Sequence, residues 1–267
     1  MAMPNDLVLV RHGESEGNVI KHAQEQDKKI KIPAAYYERH STDWRLTKLG
    51  VKQAKMAGKW LRENVDMQFD RYYTSSYNRA KETAAHLQLP NAHWFPTPYL
   101  GERNWGILDQ YPVEVRIKKF QADFKSKEIN AFYWAPPRGE SMVQICMRVD
   151  RVLDTLHREC DGKRVIIVCH GEIMWAFRIR IERMTVEQFL GLDQSENPFD
   201  RINNCQIIHY TRKDPQSKKV TSHMDWMKSV CPTNLSLSRN EWVKVTRHSF
   251  TNEDLLQEAE KIKRLIN

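Results

Sequence analysis

The sequence has no apolar run that approaches the length of a membrane span. Residues 1–6 lack a basic stretch, a long apolar core and a small-residue cleavage site, so a cytoplasmic protein is expected. Cysteine is sparse. Cys146, Cys160, Cys169, Cys205 and Cys231 are widely spaced, form no CxxC pair and are odd in number. They read as reduced thiols, which excludes a disulfide frame or a zinc site. No segment repeats at a fixed period. There is no Walker-type glycine loop, and His12 and His170 are not flanked by the carboxylates of a two-metal phosphatase, so neither a cofactor nor a metal is expected. Charge, by contrast, is plentiful: 42 Lys and Arg against 34 Asp and Glu give a net charge of +8 over 267 residues. That balance favours acidic partners such as small phosphorylated metabolites. The two signs are interleaved, with no Arg/Lys-rich helix and no zinc-finger spacing, so neither nucleic acid nor membrane is an expected partner. The sequence leaves a homodimer open.

Strongly apolar stretches alternate with helical patterns. Leu7, Val8, Leu9 and Val10 read as a buried strand, as do residues 164–169. Shorter strands are expected over residues 69–73 and 93–95, with a last one over 204–210. Met142, Ile145, Cys146, Val149, Val152, Leu153 and Leu156 fall on one helical stripe. The alternation predicts a three-layer α/β/α domain with a mostly parallel central sheet over residues 1–210. Residues 19–46 and 107–137 read as cap elements. Beyond Tyr210 the texture turns polar. Residues 211–267 hold 11 basic and 7 acidic side chains and a modest apolar helical stripe from Leu255 to Leu265. They read as an extension packed on the main domain.

Three expected strands end in polar residues: Arg11-His12-Gly13 after the first, Ser75-Ser76 with Arg79 after the second, and His170-Gly171 after the third. Parallel strands gather such ends on one edge, where ligands bind. The result is a pocket of two guanidinium groups, two imidazoles and small residues that free backbone amides, which suits a phosphoryl group. One histidine can attack phosphorus while the other donates to its oxygens. A leaving alkoxide needs a proton, and Glu102, in a glycine-bracketed turn, is placed to supply it. Glu172 is an oddity beside such a pocket. It is expected to face outward, to contact a basic residue, or to limit which phosphate esters are accepted.

Arg11-His12-Gly13-Glu14-Ser15, with Asn18 six residues after His12, resembles the signature of the histidine phosphatase superfamily, the phosphoglycerate mutase-like proteins. The resemblance covers residues 6–210. It implies that His12 becomes phosphorylated, that Arg11 and Arg79 hold the phosphate, that Glu102 is the proton donor and that His170 is the second histidine. It also implies that Asn18 is a polar pocket residue. Ser15 reads as an oxyanion or turn contact, and Gly171 as a backbone donor. The segment Glu102-Arg103-Asn104-Trp105-Gly106 and the Gly139-Glu140-Ser141 block resemble mutases. Glu172-Ile173-Met174-Trp175 does not, since mutases usually have an asparagine and a small hydroxyl residue there. Hydrolysis of a phosphomonoester is therefore the expected activity, ahead of a bisphosphate-primed mutase. Binding of a phosphorylated ligand without turnover is the third reading.

Overall fold

The computed structural model describes residues 2–266 except Asp27, Lys29 and Met67, with Glu25 described in its backbone alone. In chain order the elements are β1 (Asp6–Arg11), α1 (Glu16–Glu25), α2 (Ala34–Glu38), α3 (Lys48–Asn64), β2 (Arg71–Ser75), α4 (Asn78–His86) and β3 (Trp94–Thr97). Then follow α5 (Val113–Lys119), α6 (Gln121–Ile129), α7 (Met142–Glu159), β4 (Arg164–Cys169), α8 (Gly171–Glu182) and α9 (Val186–Asp193). The chain continues with β5 (Ile207–Thr211), β6 (Trp226–Val230), β7 (Arg239–Lys244) and α10 (Asn252–Glu260).

The central sheet orders its strands β3-β2-β4-β1-β5-β6-β7. The first four are mutually parallel, and each pairing from β1–β5 onward is antiparallel. It follows that β3, β2, β4, β1 and β6 point one way, and β5 and β7 the other. β1 and β4 read as unbroken apolar runs because both faces are covered. Leu7, Leu9, Val165 and Ile167 pack with α7 and α8, whereas Val8, Val10, Ile166 and Val168 pack with α3 and α4. This alternation makes three layers, α/β/α. The stripe on α7 buries Met142, Ile145, Cys146, Val149, Val152 and Leu156. A fully buried aliphatic side chain of this kind stabilises the fold by about 1.5–3 kcal/mol. The helix starts at Ser141, which closes a capping box with Gln144.

Three features depart from the sequence-based expectation. β2 runs through Thr74 and Ser75, which look like a polar turn yet are fully buried. Their hydroxyls bond within the protein, to the Ser75 carbonyl and to His170. Tyr210 does not close the last strand, since β5 is followed by β6 and β7 in the same sheet. β6 is partly buried and β7 is exposed at five of its six residues; held by backbone pairing, neither carries the unbroken apolar run that signals a covered strand. Of the stripe expected from Leu255 to Leu265, α10 holds Leu255, Leu256 and Ala259 and ends at Glu260; Leu255, Leu256, Ile262 and Leu265 are all exposed, so the stripe is not packed on the main domain.

At the carboxyl ends of the parallel strands, α1, α2 and residues 39–46 form one wall. α5, α6 and the segment around them form another, built on a small cluster of Leu108, Phe120 and Trp134. No helix among the described residues is long and apolar enough to cross a membrane.

Candidate active site

β2, β4 and β1 are adjacent and parallel, so their carboxyl ends open onto one cavity of about 590 Å³. Arg11, His12, Ser15, Asn18, Arg79, Glu102 and Gly171 line it. His170 stands directly behind His12, with ring centres 5.0 Å apart and planes at 63°. The structure thus brings together all the residues that the sequence singled out from four separate segments.

His12 is fixed from both sides. Its Nδ1 lies 2.7 Å from the Gly13 carbonyl, so this nitrogen carries the proton and donates it. Nε2 is then left with a lone pair, towards which Arg79 Nε donates at 3.3 Å. Burial, followed by the charges of Arg79 and Arg11, holds His12 well below the ordinary histidine value. The imidazole is neutral at neutral pH. Burial and the same cations do the same to His170. Its Nε2 is 2.8 Å from Ser75 Oγ, and its Nδ1 is buried with no partner among the described residues. Arg11 donates from Nη1 to the Ile202 carbonyl at 2.6 Å, and its Nε is another buried atom without a partner. An unpaired buried polar group costs about 1–3 kcal/mol, and a tetrahedral anion in the pocket would offer acceptors for both. Arg79 also donates to the Ser41 carbonyl at 2.6 Å and lies over the rings of Tyr77 and Trp44. One donor atom each from His12, Glu102 and His170 lie within 4.8 Å of one another, a spacing that also fits a cation. The two guanidinium groups sharing the pocket favour an anion instead.

Local backbone chemistry sets this geometry. Asn18 is the third helical residue of α1. Its Oδ1 accepts from the Ser15 amide, the Ser15 hydroxyl and Asn204 Nδ2, each at 3.1 Å. These donors fix the orientation of the amide, so Asn18 offers its NH₂ to a ligand. Asn204 also donates to the His12 carbonyl at 3.1 Å. Gly13 and Gly50 let α3 approach the turn backbone to backbone: a Cβ on Gly50 would overlap the Glu14 carbonyl, and one on Gly13 the Gly50 carbonyl. Glu14 accepts from the Thr47 hydroxyl at 2.7 Å, so its role is to seat α3.

Glu102 is held by a loop staked to α7. Arg148 donates to the carbonyls of Tyr99 and Gly101 at 2.8 and 3.0 Å and pairs twice with Glu140, at 2.7 and 3.0 Å. Glu140 accepts in turn from the Asn104 amide at 3.0 Å. Glu172 faces the cavity and does not point outward; it also meets the basic partner foreseen for it, Arg103, at 3.5 Å. Burial raises its carboxyl above the ordinary value while Arg103 pulls the other way. Ser41, Arg148 and Asn204 carried no recognisable signal, since each acts through hydrogen bonds or ion pairs to partners distant in the chain.

A buried histidine pair under two arginines, at the strand ends of an α/β/α sheet, defines an enzyme of the histidine phosphatase type. Residues 7–225 match the Histidine phosphatase superfamily (branch 1), and the chain belongs to that family. A 2,3-bisphosphoglycerate-dependent phosphoglycerate mutase of Parvibaculum lavamentivorans is 31% identical over 209 residues, covering 72% of this chain and 86% of that protein. Among solved structures, the alpha-ribazole phosphatase of Shigella flexneri superimposes with a TM-score of 0.60 at 20% identity, covering 82% of this chain and 96% of that one. A mycobacterial glucosyl-3-phosphoglycerate phosphatase does so with a TM-score of 0.58 at 19% identity, over 78% and 89% of the two chains.

Proposed function

We propose that the protein hydrolyses the monoester of a small phosphorylated metabolite through a phosphohistidine at His12. The observation that carries this reading is the state of His12: a neutral ring with Nδ1–H bonded to Gly13, Nε2 directed at Arg79, and donor atoms of Glu102 and His170 close by. The Nε2 lone pair attacks phosphorus as the ester P–O bond breaks. Glu102 gives its proton to the departing oxygen. Arg11 and Arg79 neutralise the transferring oxygens and the neutral His170 donates a hydrogen bond to them, with Asn18 and the Gly171 amide placed to add contacts; the Ser15 amide and hydroxyl are spent on Asn18 Oδ1 and serve the turn. A water molecule then gives a proton back to Glu102 and attacks phosphorus. The N–P bond breaks, releasing phosphate and restoring His12. The five cysteines are buried and unpaired, which fits the reducing conditions of a cytoplasm.

The test is a phosphate label. Native protein incubated with a phosphate ester should carry an acid-labile, base-stable phosphate that is absent from His12→Ala together with turnover. A label that persists in that variant rules out His12 as the nucleophile. The second reading is a bisphosphate-primed mutase, favoured by the 31% identity to such an enzyme. It requires isomerisation that depends on the primer, and none at saturating primer would dismiss it.

A further inference from the structure

Glu172 and Arg103 have no part in that turnover, yet they sit at its edge. Glu172 lies in the first turn of α8, next to Gly171, where a Cβ would stand 3.4 Å from Arg11 Nε. Glu172 and Arg11 line the same cavity, so the organic group of an ester whose phosphate is held by Arg11 shares that cavity with Glu172. The two partners are unequally exposed. The Arg103 side chain retains 6% of its accessible surface and that of Glu172 31%. The Arg103 guanidinium is sealed into the wall: Nε donates to the Glu140 carbonyl at 2.8 Å, Nη2 to the Trp134 carbonyl at 3.1 Å, and the group lies 4.7 Å from the Trp105 ring centre. The cation is hidden and the carboxylate is presented. Glu102 and Asp193 add negative charge on this side and Lys21 offsets part of it. Oε2 of Glu172 faces Arg103 Nη1 at 3.5 Å.

We infer that Glu172 is a specificity-determining residue that accepts a hydrogen bond from a hydroxyl of the substrate's organic group and turns away esters bearing a carboxylate at that position. The inference rests on the phosphomonoesterase reading of the site. Its cause is electrostatic. Placing a second anion beside the cavity-facing Glu172 carboxylate, whose basic partner Arg103 is buried behind it, is unfavourable, whereas a hydroxyl can donate a hydrogen bond to that carboxylate.

Two esters isolate the effect. Glycerol 3-phosphate and 3-phosphoglycerate differ only in a hydroxymethyl group against a carboxylate. p-Nitrophenyl phosphate carries neither and reports phosphoryl transfer itself. Native protein should favour glycerol 3-phosphate over 3-phosphoglycerate in kcat/KM by about ten-fold or more, the scale of a like-charge contact. In Glu172→Gln, which keeps an acceptor and loses the charge, the ratio should fall about ten-fold towards parity, mainly through a gain on the carboxylate ester. Parity of the two esters in the native protein overturns the inference without recourse to any variant. So does a ratio that stays within about two-fold of native in Glu172→Gln. If native protein releases phosphate from none of the three esters, the phosphomonoesterase reading falls and this inference falls with it. Release from p-nitrophenyl phosphate together with parity of the other two sinks only the inference.

Discussion

At His12 the two ring nitrogens have separate tasks, and both can be probed. Nδ1–H is spent on the Gly13 carbonyl, and the depressed pKa keeps the ring neutral. Imidazole NMR on the unliganded protein should place the His12 midpoint below the ordinary 6.5, and a midpoint at or above that value contradicts the assignment. Glu102→Gln should slow alkyl phosphates by about 10²–10⁴-fold and aryl phosphates far less, because a phenolate leaves with little help. Steady-state kinetics on one ester of each kind decides; equal slowing removes Glu102 from the acid role. The histidines, arginines and Glu102 were legible because each sits in a short polar block after an apolar run or between glycines. Ser75 was legible as part of a polar strand end, but its pairing with His170, 95 residues away, was not. The cavity-facing direction of Glu172 was equally hidden: it depends on the turn of α8 and on a buried Arg103.

Among the elements, α3 and the loop of residues 99–104 do most to hold the site in shape. α3 is seated by a glycine–glycine approach against the first turn. Gly50→Ala forces a methyl group into the Glu14 carbonyl, a backbone atom that cannot swing away. The variant should lose about 2 kcal/mol or more in denaturant unfolding. An unchanged midpoint would show that α3 can back away. Arg148→Met removes the stakes from the Glu102 loop while keeping much of the apolar stem. We expect kcat on alkyl esters to drop by about ten-fold with KM little changed, from misplacement of the acid. A change confined to KM would place the effect in binding. Periodicity found α7 because its stripe continues for more than four turns. It misplaced β2 because burial there includes hydroxyls. It missed β6 and β7 because edge-ward strands need backbone partners more than apolar faces.

Among the described residues three histidines are buried, His12, His170 and His209, and burial is the largest cause of a lowered pKa at each. The unfolded chain takes up protons at these positions near 6.5 while the folded protein stays neutral there. Unfolding is therefore favoured as pH falls below that value, and stability recovers above it. Thermal melts should show a lower Tm at pH 5.5 than at pH 7.5, and a flat profile would contradict the burial of all three. Removing residues 251–267 should shift stability by less than about 1 kcal/mol, because every described residue of α10 is exposed. A large drop in Tm on truncation would show that this helix is needed by the fold. The layer order was legible from the alternation of runs and stripes, whereas the walls of the cavity were not, being irregular and rich in charge. One clamp joins those walls to the chamber floor: Arg79 grips the Ser41 carbonyl in the rim and His12 at the base. Doorway and reaction centre thus share a single bolt, and a residue inserted into or removed from the rim around position 41 would be felt at phosphorus.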